Sequence, residues 1–323
     1  MKRAQPKIAG FFDGVSILRG QMQYFLAVDA GGTKTRGAIG NEERELARSE
    51  TATIKLLRTS SGQARHNLEN LLGELARSQG IDLKSVSRIC VGTSGISVPL
   101  VANWIRETVG MLVDGELLLC GDEEIALDAA FHEGPGVLVV AGTGSNIVGR
   151  TRSGQLAHAG GWGPALADEG SGYWIGHHAL RKAFRAQDEG RRTKLLEDVL
   201  QAWKLAGIEN LVEKANSIPP PDFSALVPVV TACAESGDAV ACELLTEAGE
   251  ELAKLASLVL GRLQQLDEET TPRVAFTGGV LQNIGKVRAA MTSALRRTNP
   301  KVEILPQPVD PIEGALWRAR QGR

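Results

Sequence analysis

The chain is poor in net charge, in long apolar runs and in cysteine. The formal net charge of −2 gives no electrostatic reason to bind nucleic acid or an anionic membrane. No run of eighteen apolar residues occurs, so we expect no membrane-spanning helix. No Cys-x2-Cys unit occurs either, so we expect neither a zinc nor an iron–sulfur site and place the protein in the reducing cytoplasm. The four cysteines are Cys90, Cys120, Cys233 and Cys242.

Two glycine-rich turns each follow a short apolar segment. Residues 137–140 are apolar and mostly β-branched, which is typical of a buried strand, and Gly142-Thr143-Gly144-Ser145-Asn146 follows. Upstream, the apolar residues 24–28 lead through Asp29 into Gly31-Gly32-Thr33. Glycines let backbone N–H groups approach a ligand closely and hydroxyls add donors, so both turns suit a phosphate group. Neither is a Walker A loop, because no Gly-Lys-Ser/Thr follows, and a plain hairpin turn remains the alternative.

Both halves of the chain follow the same order of predicted elements. Each begins with three strands, of which the first ends in a glycine-rich turn, and then alternates helices with strands. This order predicts a duplicated α/β fold, in which ligands lie at the carboxyl ends of the strands. The predicted strands are 24–29, 35–40, 45–53, 87–91, 116–120, 137–140, 145–151, 155–161, 273–276 and 301–305. The predicted helices are 61–77, 99–109, 125–131, 173–186, 192–205, 224–236, 238–265, one that ends near 297, and 310–321.

The turn-forming segment Gly134-Pro135-Gly136 marks the expected boundary between the two halves. We expect a loose extension over 1–21, an N-terminal domain over 22–134 to which a terminal helix at 310–323 returns, and a C-terminal domain over 135–309 with a helical insertion at about 187–265.

Two acids lie at ends of predicted strands. Asp29 directly precedes a glycine turn and offers an oxygen ligand for Mg²⁺, although a simple turn acid is the alternative. Asp122 follows the strand 116–120, where an ordinary helix N-cap is a common use of aspartate. By the same argument Asp168 could cap the helix that starts near Ser171, and Trp162 could be a core aromatic.

The most specific string comes after the second glycine turn. Gly160-Gly161-Trp162-Gly163 is followed by Asp168-Glu169-Gly170-Ser171 and then by Tyr173-Trp174-Ile175. Together with the two glycine turns, this string resembles the actin-like superfamily of sugar kinases and ATPases. Within it the chain looks most like the N-acetylglucosamine kinase branch of the BadF/BadG/BcrA/BcrD ATPase family. The resemblance runs from about Tyr24 to Arg320. It implies two RNase H-like (actin-like ATPase) domains with a cleft between them, a helical insertion in the second, and a homodimer.

The resemblance also implies cofactors, a substrate and roles for single residues. ATP and Mg²⁺ are the implied cofactors, and a small sugar is the implied substrate. Asp29 matches the acid that holds Mg²⁺, directly or through water. Asp122 matches the acid that contacts the reacting sugar hydroxyl, and we expect it to act as the general base. Gly32, Thr33, Gly142, Thr143 and Gly144 match the phosphate turns; Gly237, Gly279 and Asn283 match positions around the adenosine; Gly161, Trp162, Gly163 and Asp168 match the sugar-binding loop.

One departure from the kinase branch concerns the sugar. That branch carries an Asn after the third strand, whereas residues 51–55 read Thr-Ala-Thr-Ile-Lys. The favoured function is ATP-dependent phosphorylation of an amino sugar, with N-acetylglucosamine and its 6-phosphate as the first candidate pair. The alternatives are an ATPase that activates an acyl-CoA dehydratase or reductase, and a non-catalytic sugar sensor. The cysteine cluster of the ROK sugar kinases is absent, which argues against that group.

Overall fold

The computed structural model describes residues 22–56, 58–268 and 272–322. The extension predicted over 1–21 lies outside the described residues. The first half of the described chain contains five strands and three helices. They are β1 (Phe25–Ala30), β2 (Lys34–Gly40), β3 (Glu45–Ala52), α1 (Ser61–Ser78), β4 (Arg88–Thr93), α2 (Pro99–Leu112), β5 (Glu116–Cys120) and α3 (Asp122–Phe131).

The second half again begins with three strands, but it has more helices. Its elements are β6 (Gly136–Ala141), β7 (Ser145–Arg150), β8 (Leu156–Gly160), α4 (Gly172–Asp188), α5 (Leu195–Trp203), α6 (Ile208–Ala215), α7 (Val227–Glu235), α8 (Ala239–Leu266), β9 (Arg273–Thr277), α9 (Gly279–Asn283), α10 (Gly285–Thr298), β10 (Glu303–Ile304) and α11 (Pro311–Gln321).

The two five-stranded sheets have the same topology. The first has the order β3-β2-β1-β4-β5, and the second, read from β8, has the order β8-β7-β6-β9-β10. In each sheet the first three strands are antiparallel and the last two run parallel to the first. The predicted duplicated α/β fold is therefore confirmed. The carboxyl ends of β1, β3, β4 and β5 lie along one edge of the first sheet, which is where ligands bind in such folds.

Helices pack on both faces of the first sheet. On one face α1 buries leucines at helical spacing, Leu68, Leu71, Leu72 and Leu75. On the other face α11 packs against α3, β1 and β4, although it comes from the far end of the chain. Its Gly314 permits this approach, because a Cβ there would lie 1.8 Å from the carbonyl oxygen of Ile125. The domain limits given above stay a prediction.

The core of the second half is built around the 28-residue helix α8. In the described part of the chain, no one helix is both long enough and apolar enough to cross a membrane. The segments Phe223–Glu235 and Ala239–Leu266 meet that criterion only as a pair, which is bent by 119°.

The helical insertion differs from the prediction in its details. The helix predicted over 192–205 is shorter, and α6 was not predicted, although Ile208, Leu211 and Val212 have helical spacing. The helix predicted to end near 297 is two helices, α9 and α10, which break at Ile284. No proline marks that break; Ile284 is 5% exposed and joins the core, so tertiary packing places it.

A buried charge network joins the two halves. The carboxylate of Asp128 on α3 is 1% exposed and accepts hydrogen bonds from Arg150 Nη1 on β7 and from Arg318 Nε on α11, each at 2.7 Å. Arg150 also donates to the carbonyl oxygens of His132 and Gly134 in the connection between the halves. The negative charge of Asp128 is thus compensated by Arg150 of the second half and Arg318 of the terminal helix.

Candidate active site

The catalytic candidate Asp122 is the first residue of α3, directly after β5. Its side chain is 35% exposed, and Oδ2 lies 3.7 Å from Nζ of Lys55 in the segment after β3. Burial raises the pKa of Asp122, and the negative charge of Asp29 raises it further. Lys55 and the backbone N–H groups at the start of α3 oppose that shift. A carboxylate at this strand edge can accept a proton from a hydroxyl group held beside it.

Asp29 lies near the end of β1 and is 13% exposed. Arg36, its partner across β1 and β2, donates from Nη2 to Asp29 Oδ2 at 2.6 Å and also pairs with Asp310. Among the described residues, no three His, Cys, Asp or Glu side chains gather as a metal cluster. Mg²⁺ in phosphoryl-transfer sites is commonly held by one or two carboxylates plus phosphates and water. Asp29, which accepts from Arg36 through Oδ2, fits that role as a single carboxylate.

The first predicted phosphate turn joins β1 to β2. A Cβ at Gly31 would lie 2.6 Å from the carbonyl oxygen of Lys34, so this tight turn requires glycine. Thr53 steadies the turn by donating from Oγ1 to the Gly31 carbonyl oxygen at 2.8 Å. Gly32 and Thr33 are exposed, and a Cβ at Gly32 would meet no atom within 4 Å. The backbone at Gly32 is therefore open to a ligand.

The second predicted phosphate turn is fixed to the start of α4. The carbonyl oxygens of Gly142 and Thr143 accept hydrogen bonds from the backbone N–H groups of Gly172 and Tyr173, at 2.8 and 3.0 Å. The Gly142 N–H donates to the Gly144 carbonyl oxygen at 2.9 Å, which closes the turn.

One cavity of about 670 Å³ brings together four of the predicted nucleotide residues, Gly142, Thr143, Gly279 and Asn283. Its opposite wall is a face of α7 that the sequence reasoning missed. The residues of that face are Val227, Pro228, Thr231, Ala232 and Glu235. Their spacing along one helix is the signal that could have identified them. A cavity of this size suits a nucleoside.

Gly237 does not line this cavity. It follows α7 and, with φ at +88°, lies on a separate surface cavity of about 680 Å³ that is also lined by Arg191, Arg192 and Lys194. The predicted contact of Gly237 with adenosine stays a prediction, and the geometry favours α7 itself for that role.

The predicted sugar loop lies beside the second phosphate turn, and Asp168 connects the two. Asp168 is 6% exposed, has φ at +67°, and accepts hydrogen bonds from the backbone N–H groups of Gly163 and Ser145. Burial raises the pKa of its carboxyl group, and these two hydrogen bonds oppose the shift. Trp162, by contrast, is 76% exposed, so it is not a core aromatic. An exposed indole on a glycine loop can pack against a ligand.

Glu123 joins the start of α3 to the second half of the chain. Its carboxylate accepts a hydrogen bond from Asn146 Nδ2 and lies 3.3 Å from Nδ1 of His158. Asn146 in turn lies against Gly161, where its Oδ1 is 2.9 Å from the position of a Cβ. Glu123, the residue after Asp122, therefore contacts the two strands that lead to the predicted sugar loop. Sequence reasoning missed Glu123 and Lys55, since no local pattern shows which distant side chains they meet.

The model of the BadF/BadG/BcrA/BcrD ATPase family matches residues 26–319. The chain belongs to the BadF/BadG/BcrA/BcrD ATPase family. The resemblance seen in the sequence is thus confirmed, and the match spans both sheets and every candidate site residue named above.

Three related proteins resemble the chain over nearly its full length. An N-acetylmuramic acid/N-acetylglucosamine kinase of Clostridium acetobutylicum is 30% identical, over 93% of this chain and 99% of its own. An N-acetyl-D-glucosamine kinase of Dictyostelium discoideum is 30% identical, over 92% and 98%. A solved structure from Chromobacterium violaceum, provisionally named an N-acetylglucosamine kinase, has a TM-score of 0.72 at 25% identity, over 92% and 98%. The predicted fold of two RNase H-like units is confirmed.

Proposed function

We propose that the chain is an ATP-dependent kinase that phosphorylates a hydroxyl group of an amino sugar, with N-acetylglucosamine and its 6-phosphate as the first candidate pair. Relatives named as N-acetylglucosamine kinases support this proposal. The observation that carries it is the position of Asp122. The negative charge of Asp29 acts on it from β1, while its neighbour Glu123 contacts the strands that lead to the sugar loop.

Each half of the chain has its own part in the proposed reaction. The cavity beside α7 takes the adenosine, and the backbone N–H groups at Gly32, Thr33 and Thr143 bind the phosphates. Asp168 holds the loop of Gly161 and Trp162 against the phosphate turn, so that the sugar lies beside Asp122. Asp29 would hold Mg²⁺, which would neutralise charge on the transferred phosphoryl group. Asp122 orients the sugar hydroxyl and accepts its proton.

The two alternative functions are not favoured. An activating ATPase of the kind considered above shares an iron–sulfur cluster through cysteines. Here Cys90 and Cys120 face each other inside the first sheet, with Sγ atoms 3.7 Å apart, and Cys233 is buried in the second half. A non-catalytic sensor would need no general base, whereas the proposed function assigns that role to Asp122.

A coupled ADP-release assay tests the proposed function directly. The purified full chain is offered ATP and Mg²⁺ with glucosamine, N-acetylglucosamine, N-acetylmannosamine, N-acetylmuramic acid or glucose. We expect ADP release that depends on an amino sugar, and ³¹P NMR should show a new phosphomonoester in equal amount. ADP release that is the same with and without every sugar would contradict the proposal. The homodimer and the cytoplasmic location belong to the same proposal, and light scattering checks the former.

A further inference from the structure

The geometry points to Lys55 as a positioning residue of the proposed reaction, whose ammonium group holds the Asp122 carboxylate in place for proton transfer. The inference rests on the proposed function, in which Asp122 accepts the proton of the sugar hydroxyl. Lys55 lies in the segment 51–55, where the chain lacks the Asn of the kinase branch.

The backbone around Lys55 is fixed on both sides. The Lys55 N–H donates to Thr53 Oγ1 at 3.2 Å, and its carbonyl oxygen accepts from the N–H of Arg58 at 2.8 Å. Asn67 on α1 donates from Nδ2 to the Thr53 carbonyl oxygen at 2.9 Å, and Ile54 is 2% exposed in the core. The long lysine side chain therefore leaves the backbone from a defined point.

The ammonium group of Lys55 bridges the carboxyl ends of two neighbouring strands. Nζ donates to Ser94 Oγ, just after β4, at 2.6 Å, and it lies 3.7 Å from Asp122 Oδ2, just after β5. The side chain is 19% exposed, so solvent screens this charge only in part. A separation of 3.7 Å is an ion pair without a direct hydrogen bond. It orients the carboxylate, which also accepts hydrogen bonds from the backbone N–H groups of Asp122 and Glu123.

The charges around Asp122 make such a cation necessary. The negative charge of Asp29 acts on Asp122 from β1 and disfavours its ionised form. Glu123 faces His158 of β8, which leaves the ammonium group of Lys55 as the ion-pair partner of Asp122 among the described residues. Burial also raises the pKa of Asp122, and the charge of Lys55 lowers it.

The proton balance of the step requires Asp122 to start as a carboxylate. The sugar oxygen forms its bond to the γ-phosphorus while the bond from that phosphorus to the ADP oxygen breaks, and the hydroxyl proton passes to Asp122. Asp122 returns the proton to water after the product leaves.

The test compares Lys55→Met and Lys55→Arg in the full chain. Lys84→Met is the matched control, because it removes an exposed lysine that pairs with Asp114 at 2.6 Å in the same half. The first readout does not depend on activity: the pKa of the Asp122 carboxyl is followed by ¹³C NMR with labelled aspartate, and Asp122→Asn assigns the signal. The second readout is kcat and KM for sugar and ATP across pH.

We expect Lys55→Met to raise the pKa of Asp122 and to lower kcat by about 10–100-fold, part of the 10²–10⁴-fold that a general base contributes. The acid limb of kcat/KM should move to higher pH, with little change in the KM for ATP. Lys55→Arg should retain the wild-type pKa and recover part of kcat, and Lys84→Met should match the wild type. If Lys55→Met does not fold, Lys55→Gln makes the same comparison, because it removes the ammonium charge and keeps a long polar side chain.

An unchanged pKa of Asp122 in Lys55→Met, with kcat within twofold of wild type, would overturn the inference. So would a higher KM for the sugar at unchanged kcat, since Lys55 would then bind the sugar. A wild-type protein that phosphorylates no sugar would refute the proposed function instead. The NMR titration would still decide whether Lys55 controls Asp122.

Discussion

The two sheets of this protein share one strand order and differ in what lies at their edges. In the first half, single helices connect the parallel strands, and the shared edge carries charged side chains, Asp29, Lys55 and Asp122. In the second half, five helices lie between β8 and β9, and the edge carries the glycine turn at 142–144 and a cavity of about 670 Å³. The same topology thus offers a charged edge in one half and a cavity for a ligand in the other.

The comparison shows that the shared strand order determines where ligands can bind. The side chains and the helical insertion determine which ligand or reaction each edge suits. Ligand groups at the carboxyl ends of strands are expected in both halves because the strand order is the same. The strand-end edge of the first half has the acid Asp122 beside Lys55, whereas that of the second half has the cavity wall formed by α7. The predictions below separate the contributions of the two halves.

The largest expected effect is on the chemistry of the first half. Asp122→Asn should lower kcat by about 10²–10⁴-fold, because an amide cannot accept the hydroxyl proton. Nucleotide binding, measured by calorimetry, should stay within about twofold of wild type. Asp114→Asn, a change at an exposed acid in the same half, is the control. Near-wild-type turnover in Asp122→Asn would remove this residue from the role of base.

A second large effect should appear where the halves join. Asp128→Asn leaves the partly buried guanidinium groups of Arg150 and Arg318 without their shared carboxylate. The free energy of unfolding in urea should fall by about 3–5 kcal/mol, the usual cost of breaking a buried ion pair. Asp114→Asn breaks the exposed pair with Lys84 and should cost less than about 1 kcal/mol. Equal costs for the two variants would show that the network does not hold the halves together.

The next effect should be confined to the second half. Ala232→Trp fills the cavity from its α7 wall, so the KM for ATP should rise by about 10–100-fold, as expected when a bulky side chain removes favourable nucleotide contacts. The KM for the sugar should change little. The matched control is Ala239→Trp, at an exposed alanine that does not line the cavity. An unchanged KM for ATP in Ala232→Trp would place the adenosine elsewhere.

The smallest effect concerns how Asp122, at the charged edge of the first sheet, changes the pH dependence of the protein's stability. The pKa of Asp122 in the folded protein is raised above its ordinary value of 3.8 by burial, so the folded state binds this proton more tightly than the unfolded state. The free energy of unfolding therefore falls as pH rises from 3.8 through the raised pKa of Asp122. Asp122→Asn should gain stability relative to wild type at pH 7, and the gain should shrink toward pH 4. Urea unfolding at both pH values measures it, and a difference that does not depend on pH would contradict the shift.

Much of the fold was predictable because hydrophobic periodicity is local. The order of strands and helices, the long helix α8 and both glycine turns followed from runs of neighbouring residues. The short helix α6 and the break at Ile284 were not predicted, since packing against the rest of the domain decides such features. In the site, position showed that two acids follow strands, and the family resemblance was needed to predict their roles. Lys55 and Glu123 were missed, because their partners lie far away along the chain.

The sequence by itself determined the duplicated order of elements, the two turns able to approach phosphate and the acids beside them. These features depend on side-chain size, backbone freedom and charge within a few neighbouring residues. Only the tertiary structure decided which acid faces which lysine, where α7 closes a cavity and how Asp128 joins three segments of the chain. Those outcomes depend on distances between residues that are remote in sequence, and no short pattern encodes such distances.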